Sequence, residues 1–437
     1  MNLVNGEILE TSACAAVLED LENRIIHTLT KGSLPAEIVL NACDKLVSNL
    51  DTAAYLAAMA ELGIDETLGT QYLEEARWLF SRESLTHRLQ TEFGADSSSP
   101  RCYVPFHKKA FVTEKTVPLG VLLHIAAGNA DGLPAFSVLE GLLTGNINIL
   151  KLPAAEGGIS VRLLRELIRI EPRLTDYIYV FDYSSKDIEQ IGKLIGAADA
   201  VVVWGGTEAV SAIRRLVPPH IRLIEWGHKI SFAYVTRQGI KESALQGLAH
   251  NMATTGQLLC SSVQGIFVDT ADMQTVHDFC AAFLPILEDT IRRHSHKIGI
   301  EVQAQVALRL YNAQLEGIYQ PRRIFKGEGC SLIAYSDRAL ETAIQFGNAW
   351  VKPLPQDELV AVLRPYKNIL QTVGLLCGDA ERAEITERLF KTGVVRVCSG
   401  ADMSIAYCGM PHDGEYPLRR YTKVVSAENS AHGNLDN

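Results

Sequence analysis

The chain has 437 residues, 47% of them hydrophobic, enough to bury two or three cores with no low-complexity tract between them. Its 41 basic against 51 acidic side chains give a formal net charge of −10, which disfavours broad attraction to nucleic acid and points to a small-molecule partner. The acidic start M-N-L-V-N-G-E-I-L-E, the lack of any run of about 18 uncharged apolar residues, and nine cysteines without a C-x-x-C pair lead us to expect a cytoplasmic protein with no membrane span and no disulfide framework.

Up to about Leu89 the chain reads helical, with Ile38, Leu40, Leu46, Leu50, Tyr55, Leu56 and Met59 at helical spacing and no recognisable chemistry. From about Val117 short apolar runs alternate with amphipathic helices. V-L-L-H-I-A precedes a helix from Leu133 to Leu143, and I-N-I-L-K-L precedes one from Ile159 to Ile170. Y-I-Y-V-F, a helix from Lys186 to Ile195, A-V-V-V-W, a helix from Thr207 to Leu216 and I-R-L-I-E complete the series. Near-continuous apolar strands alternating with helices predict an α/β fold with a parallel, doubly wound sheet of nucleotide-binding type.

The G-x-G-x-x-G fingerprint is absent. In its place Gly205-Gly206-Thr207-Glu208 follows the strand A-V-V-V-W and opens a helix, where bare backbone and a helix N-terminus can approach a pyrophosphate. An ordinary β–α turn would read the same way. After Trp226-Gly227 the pattern restarts with I-S-F-A-Y-V and a helix from roughly Lys241 to Leu258. This organisation predicts a helical segment plus nucleotide-binding domain over 1–228, a second α/β domain over 229–408, and a tail over 409–437 forming an edge strand or oligomer contact. With no long linker between them, the two domains are expected to share an extensive cleft.

Within the second domain, T-T-G-Q-L-L-C-S-S runs directly into the apolar strand V-Q-G-I-F-V. Cys260 therefore stands between a helix and a strand, flanked by glycine and small hydroxyl residues. An electrophile has room to approach its sulfur there, and backbone N–H groups lie beside it for a developing oxyanion. A buried structural thiol is the alternative, because cysteine is among the most buried residue types.

P-L-G-V (Pro118 to Val121), I-A-A-G-N (Ile125 to Asn129), G-N-I-N-I-L-K-L-P (Gly145 to Pro153), W-G-G-T-E, L-I-E-W-G-H-K (Leu223 to Lys229) and T-G-Q-L-L-C (Thr255 to Cys260) occur in the order of the aldehyde dehydrogenase superfamily, which the chain resembles. I-E-W-G-H-K, N-I-L-Q-T-V-G (Asn368 to Gly374) and P-H-D-G-E-Y-P-L-R (Pro411 to Arg419) are similar to its LuxC-type branch, the fatty acyl-CoA reductases of bacterial luminescence. The resemblance covers roughly residues 100–425. It implies Cys260 as nucleophile, Asn129 and the Cys260 N–H as oxyanion hole, and Glu225 as an acid/base glutamate at a strand end. It also implies Lys151 as the lysine reaching the adenosine ribose or its phosphate, beside Gly205, Gly206 and Thr207. Local readings compete with each: a loop asparagine, a salt-bridged strand-end glutamate, a snorkelling lysine.

Many NAD-preferring members place a carboxylate where this chain has Ala154, so the resemblance favours NADPH while leaving NADH possible. No E-x-F-G-P segment follows Cys260, so nothing in the sequence assigns the hold on the nicotinamide ribose. The implied activity is reduction of an acyl-CoA, or another acyl thioester handed over by a partner enzyme, to the aldehyde. Oxidation of an aldehyde to the acid, with Glu225 activating water, and a non-catalytic member of the fold are the rivals. A homodimer or tetramer is implied as well. His294 and His296 in R-R-H-S-H-K lack a third ligand and read as a solvated face, so no metal is expected. His412-Asp413-Gly414 reads as a turn more readily than as part of a site.

Overall fold

The computed structural model of the chain describes residues 1–61, 66–95, 99–106, 110–126, 132–153, 158–294, 298–319 and 321–430. They fall into two compact units. The first comprises 1–51, 74–227 and 407–437, and the second 52–73 and 228–406.

The first unit is built on five parallel strands: β1 (Val121–Ile125), β2 (Ile147–Lys151), β3 (Ile178–Phe181), β4 (Ala200–Trp204) and β5 (Arg222–Trp226). They lie in the order β3-β2-β1-β4-β5, so the connections reverse direction between β1 and β4. Every residue of β2, β3 and β4 is buried, as an apolar strand covered on both faces must be. One face carries the helices Leu133–Leu143 and Ile159–Ile170 and the other Ile188–Gly196 and Thr207–Leu216. The helix Leu133–Leu143 buries nearly its whole circumference, in keeping with apolar residues all round it.

The chain does not start as a helix. Asn2–Val4 and Glu7–Leu9 form a hairpin that adds to the sheet antiparallel to β3, Leu3 opposite Val180. The two-residue loop Asn5-Gly6 has φ of 54° and 77°, the left-handed pair that a tight hairpin turn requires and that Asn-Gly supplies at little cost. Helices follow from Thr11 to Phe93. The C-terminal strand Thr422–Ser430 pairs along its length with Ala110–Pro118, which also pairs with Arg101–Tyr103, in a separate antiparallel sheet.

The second unit repeats the theme with β6 (Ile230–Val235), β7 (Val263–Val268), β8 (Cys330–Tyr335), β9 (Asn348–Pro353), β10 (Leu370–Leu376) and β11 (Arg396–Cys398). All six are parallel, in the order β8-β9-β7-β6-β10-β11, with Arg322–Gly327 antiparallel on the β8 edge. Helices Glu242–Thr255 and Met273–His294 pack on one face and Leu359–Leu363 and Asp379–Thr392 on the other. Among the described residues no helix is long and apolar enough to cross a membrane.

Candidate active site

The carboxyl edge of the first sheet collects five of the residues singled out from the sequence. Lys151 ends β2 opposite Ile125 of β1, Ile125 lies opposite Val203 of β4, and Val203 lies opposite Glu225 of β5. This single cross-strand row spans roughly 14 Å at the usual strand spacing. It straddles the β1/β4 reversal, where open α/β sheets leave a crevice beyond the strand ends. Gly205, Gly206 and Thr207 follow β4 directly. The Gly205 N–H still bonds the Trp226 carbonyl at 3.1 Å, and Gly206 caps the helix Thr207–Leu216 with extended backbone. A Cβ at Gly206 would meet no atom of the described residues within 4 Å, so their packing leaves the space above it open.

Lys151 is only 6% exposed. Burial pushes its ammonium below the ordinary lysine range, and nearby Asp182 offsets part of that. No described residue hydrogen-bonds or ion-pairs with it. A buried cation whose desolvation is only partly offset is costly, so this position suits an anionic or hydroxyl-rich ligand that would complete it. Together with the open Gly206 and the helix N-terminus, this donor set fits the ribose and phosphates of a nicotinamide dinucleotide.

Glu225 is held by Arg214 through both carboxylate oxygens, Nε at 3.0 Å from Oε1 and Nη2 on Oε2. The salt-bridged reading of this glutamate is the one the geometry adopts, with the arginine coming from the helix that Gly206 caps.

Behind the same edge lies a polar chain that the sequence reading passed over. His124 of β1 is fully buried, which pushes its pKa down to about 4, so the ring is neutral. Its Nε2 lies 3.0 Å from Asn148 Oδ1, an atom that only accepts, and its Nδ1 lies 2.7 Å from Ser137 Oγ. Nε2 therefore carries the proton, and the Ser137 hydroxyl donates to Nδ1 while accepting from Trp204 Nε1 at 3.0 Å. Trp204 immediately precedes Gly205, so this buried relay fixes the start of the glycine turn. On the exposed side the His412 ring contacts both Trp204 and Trp226, at 5.2 and 4.8 Å between centroids. His412 and Glu415 exchange backbone hydrogen bonds of 2.8 and 2.9 Å around Asp413-Gly414. The segment is thus a two-residue turn, and that turn carries the ring onto the tryptophans.

Cys260 belongs to the second unit and sits at the amino end of its sheet, three residues before β7. The helix Glu242–Thr255 stops at Gly256, which is left-handed, and Gln257 follows at φ 62°. Gln257 is fully buried and acts as the hub of the turn. Its Nε2 donates to the Val263 and Asn348 carbonyls at 2.8 and 3.3 Å, and its Oε1 accepts from Gly347 N–H at 2.9 Å. Its own carbonyl accepts from Gln264 Nε2 at 2.8 Å. With Gln257 turned inward, Leu258 and Leu259 are displayed at 53% and 45% exposure. Ser231 Oγ donates to the Cys260 carbonyl at 2.7 Å and accepts from Thr372 N–H at 3.0 Å, aimed at both by a register shift in β6.

Cys260 is exposed, a property that only Cys102 shares among the nine cysteines. Burial drives the Cys43 and Cys280 thiols up to about 12 and Cys330 and Cys398 to about 11, so those four are inert thiols at neutral pH. Asn129, Ala154 and His296 lie outside the described residues. His294 packs edge-on against His250, and among the described residues no three potential ligands cluster around a metal position.

Residues 34–424 match the family model described as acyl-CoA reductase (LuxC). The long-chain acyl-protein thioester reductase of Aliivibrio fischeri is 24% identical over 378 residues, covering 81% of this chain and 73% of that protein. Among solved structures, an NAD-dependent aldehyde dehydrogenase from Sinorhizobium meliloti aligns over 100% of this chain and 95% of its own, with a TM-score of 0.77 at 13% identity. A bifunctional proline utilization A protein aligns over 97% of this chain with a TM-score of 0.70 at 16% identity, and this chain spans 45% of its length. The fold is that of the aldehyde dehydrogenases.

Proposed function

Since the chain belongs to the acyl-CoA reductase (LuxC) family, we propose that it reduces a fatty acyl thioester to the aldehyde, the acyl group passing through Cys260. The observation that carries this reading is the exposed Cys260 on a turn pinned by Gln257 and Ser231, in a protein where Cys102 is the one other exposed cysteine.

In this scheme the Cys260 thiolate adds to the thioester carbonyl. The bond from that carbon to the donor sulfur then breaks, the donor leaves as a thiol with one proton, and the acyl group remains on Cys260. The Asn129 amide and the Cys260 backbone N–H stabilise the oxyanion as it develops. A bound nicotinamide supplies the hydride for the acyl carbon. The hemithioacetal on Cys260 takes up a proton on oxygen and collapses, releasing the aldehyde and restoring the thiol. Lys151, Gly205, Gly206 and Thr207 hold the dinucleotide, and Ala154, with no carboxylate to repel a 2′-phosphate, favours NADPH over NADH.

The Glu225–Arg214 pair supports the reductive direction. A carboxylate engaged at both oxygens is a poor base for water, and hydrolysis of the acyl-enzyme would need such a base, whereas reduction does not. The donor is a thioester of CoA or of an acyl-carrying protein, the second being what the name of the Aliivibrio fischeri relative gives as its substrate. Incubating the protein with tetradecanoyl-CoA and NADPH tests the reading. Aldehyde and free CoA appearing in equal amounts is the expected result, and release of fatty acid alone would assign the hydrolytic direction instead.

A further inference from the structure

Beside the Cys260 turn, wholly within the second unit, lies a cavity of about 440 Å³. That volume falls within the roughly 300–1,000 Å³ of small-molecule sites. Its walls are Met252, Ala253, Ile291, Ile298 and Phe346, and its exposed polar residues are Arg292, Gln303 and Glu328. An apolar interior with polar groups at the surface suits a ligand with a hydrocarbon body.

The cavity and the Cys260 turn share structural parts. Gly256, which opens the turn, lines the cavity, and so do Phe346 and Gly347. Three consecutive residues, Gln345, Phe346 and Gly347, have positive φ of 76°, 51° and 83°. Such a conformation is unfavourable for glutamine and for a bulky phenylalanine, and it persists only where the surroundings enforce it. Here the enforcing contacts are with the cysteine turn. Gln345 Nε2 donates to the Gln257 carbonyl at 3.4 Å, Phe346 N–H to the Gly256 carbonyl at 3.1 Å, and Gly347 N–H to Gln257 Oε1 at 2.9 Å. At Gly347, with φ 83°, a Cβ would also fall 2.3 Å from Ile291 Cδ1 and 3.0 Å from the Gly329 carbonyl oxygen, so glycine suits the strap's close approach to the helix Met273–His294. The strained strap thus does two things at once: it ties down the turn that carries the nucleophile and it places Phe346 in the cavity wall.

We propose that this cavity receives the hydrocarbon chain of the acyl group, with Phe346 and Ile298 setting the chain length accepted. The inference rests on the acyl-thioester reading above and assigns the part of the chain that selects among acyl groups. Each methylene withdrawn from water contributes about 0.8 kcal/mol, close to a fourfold preference, so a cavity of this kind separates long from short chains by orders of magnitude.

The test measures, by intact mass, the rate at which Cys260 is acylated by butanoyl-, octanoyl- and tetradecanoyl-CoA in the full chain. Ile298→Trp fills the cavity from its partly exposed side, where the core is not disturbed. It should slow acylation by tetradecanoyl-CoA about tenfold or more, the equivalent of excluding two methylenes, and leave butanoyl-CoA unchanged. Phe346→Ala should move the preference toward longer chains. Circular dichroism and thermal unfolding check that each variant is folded, and the ratio between chain lengths within one variant is unaffected by any general loss of active protein. Adduct formation with the same chain-length ratios in wild type and Ile298→Trp would overturn the acyl cavity while leaving the reductase reading intact. If the wild type gives no adduct at Cys260 with any donor, both fall.

Discussion

The two units present the residues singled out from the sequence in opposite ways. The first displays Lys151, Glu225 and Gly205-Gly206 at the carboxyl ends of regular strands, in one cross-strand row beside a helix start. The second carries Cys260 at the amino end of its sheet, on a turn that regular geometry does not provide. Five non-glycine residues have positive φ among the described residues: Asn5, Gln257, Gln345, Phe346 and Asp413. Asn5 and Asp413 open two-residue hairpin turns, where short polar side chains tolerate that conformation. The other three are joined by hydrogen bonds around the Cys260 turn. The comparison separates an edge of regular strand ends, which needs no left-handed backbone outside glycine, from a cysteine turn held by left-handed residues and a buried polar hub.

If that division is right, removing the nucleophile should leave the binding edge untouched. Cys260→Ala should reduce acyl-adduct formation and aldehyde release to background while NADPH affinity stays within about twofold, because the nucleotide edge belongs to the other unit. Titration of cofactor fluorescence beside an activity assay checks both halves. Next in size is the hub. Gln257→Leu strands the Gly347 N–H and the Val263 carbonyl in the core, so unfolding in urea should lose roughly 2–5 kcal/mol, with slower acylation in the folded fraction. A variant of wild-type stability and wild-type acylation rate would show that the turn holds its shape without its buried glutamine.

The binding edge should respond in the reverse manner. Lys151→Met should weaken NADPH binding about tenfold or more without destabilising the free protein, since it removes a buried ammonium whose desolvation Asp182 only partly offsets. The pH dependence follows from the sign of the shift. A lysine whose folded pKa lies below its unfolded value penalises the folded state while it is charged in both, and the penalty fades as pH rises through the folded value toward about 10.4. Any advantage in melting temperature that the methionine variant has at pH 7 should therefore shrink in alkaline buffer. A gap that widens with pH would mean that Lys151 is stabilised in its charged form. The smallest effect is one of discrimination: Ala154→Glu should raise the KM for NADPH on the order of tenfold relative to NADH, through repulsion of the 2′-phosphate. An unchanged ratio would place the adenosine ribose elsewhere.

The same contrast explains what the sequence discloses. The strand–helix alternation from Val121 onward is plain because the strands of both units are buried on two faces and read as unbroken apolar runs. The opening hairpin is not, because three-residue strands carry no periodicity and only Asn5-Gly6 marks them. His124 is hidden for a different reason: a single histidine in V-L-L-H-I-A gives no sign that Ser137 and Asn148 converge on it from two other elements, or that Trp204 joins through Ser137. Gln257 inverts the usual rule, buried while Leu258 and Leu259 face out, and its partners at Asn348 and Gly347 lie some ninety residues away. Glu225 was legible as a strand-end carboxylate, whereas its engagement by Arg214 depends on how the following helix lies against β5.

The central claim, that the acyl group passes through Cys260, is tested most directly by mixing the protein with tetradecanoyl-CoA in the absence of cofactor and following intact mass with peptide mapping. The account predicts one acyl group added at Cys260 and at no other cysteine, discharged as aldehyde once NADPH is supplied. An acyl adduct mapped to a different residue, or aldehyde produced at the normal rate by Cys260→Ala, would contradict it.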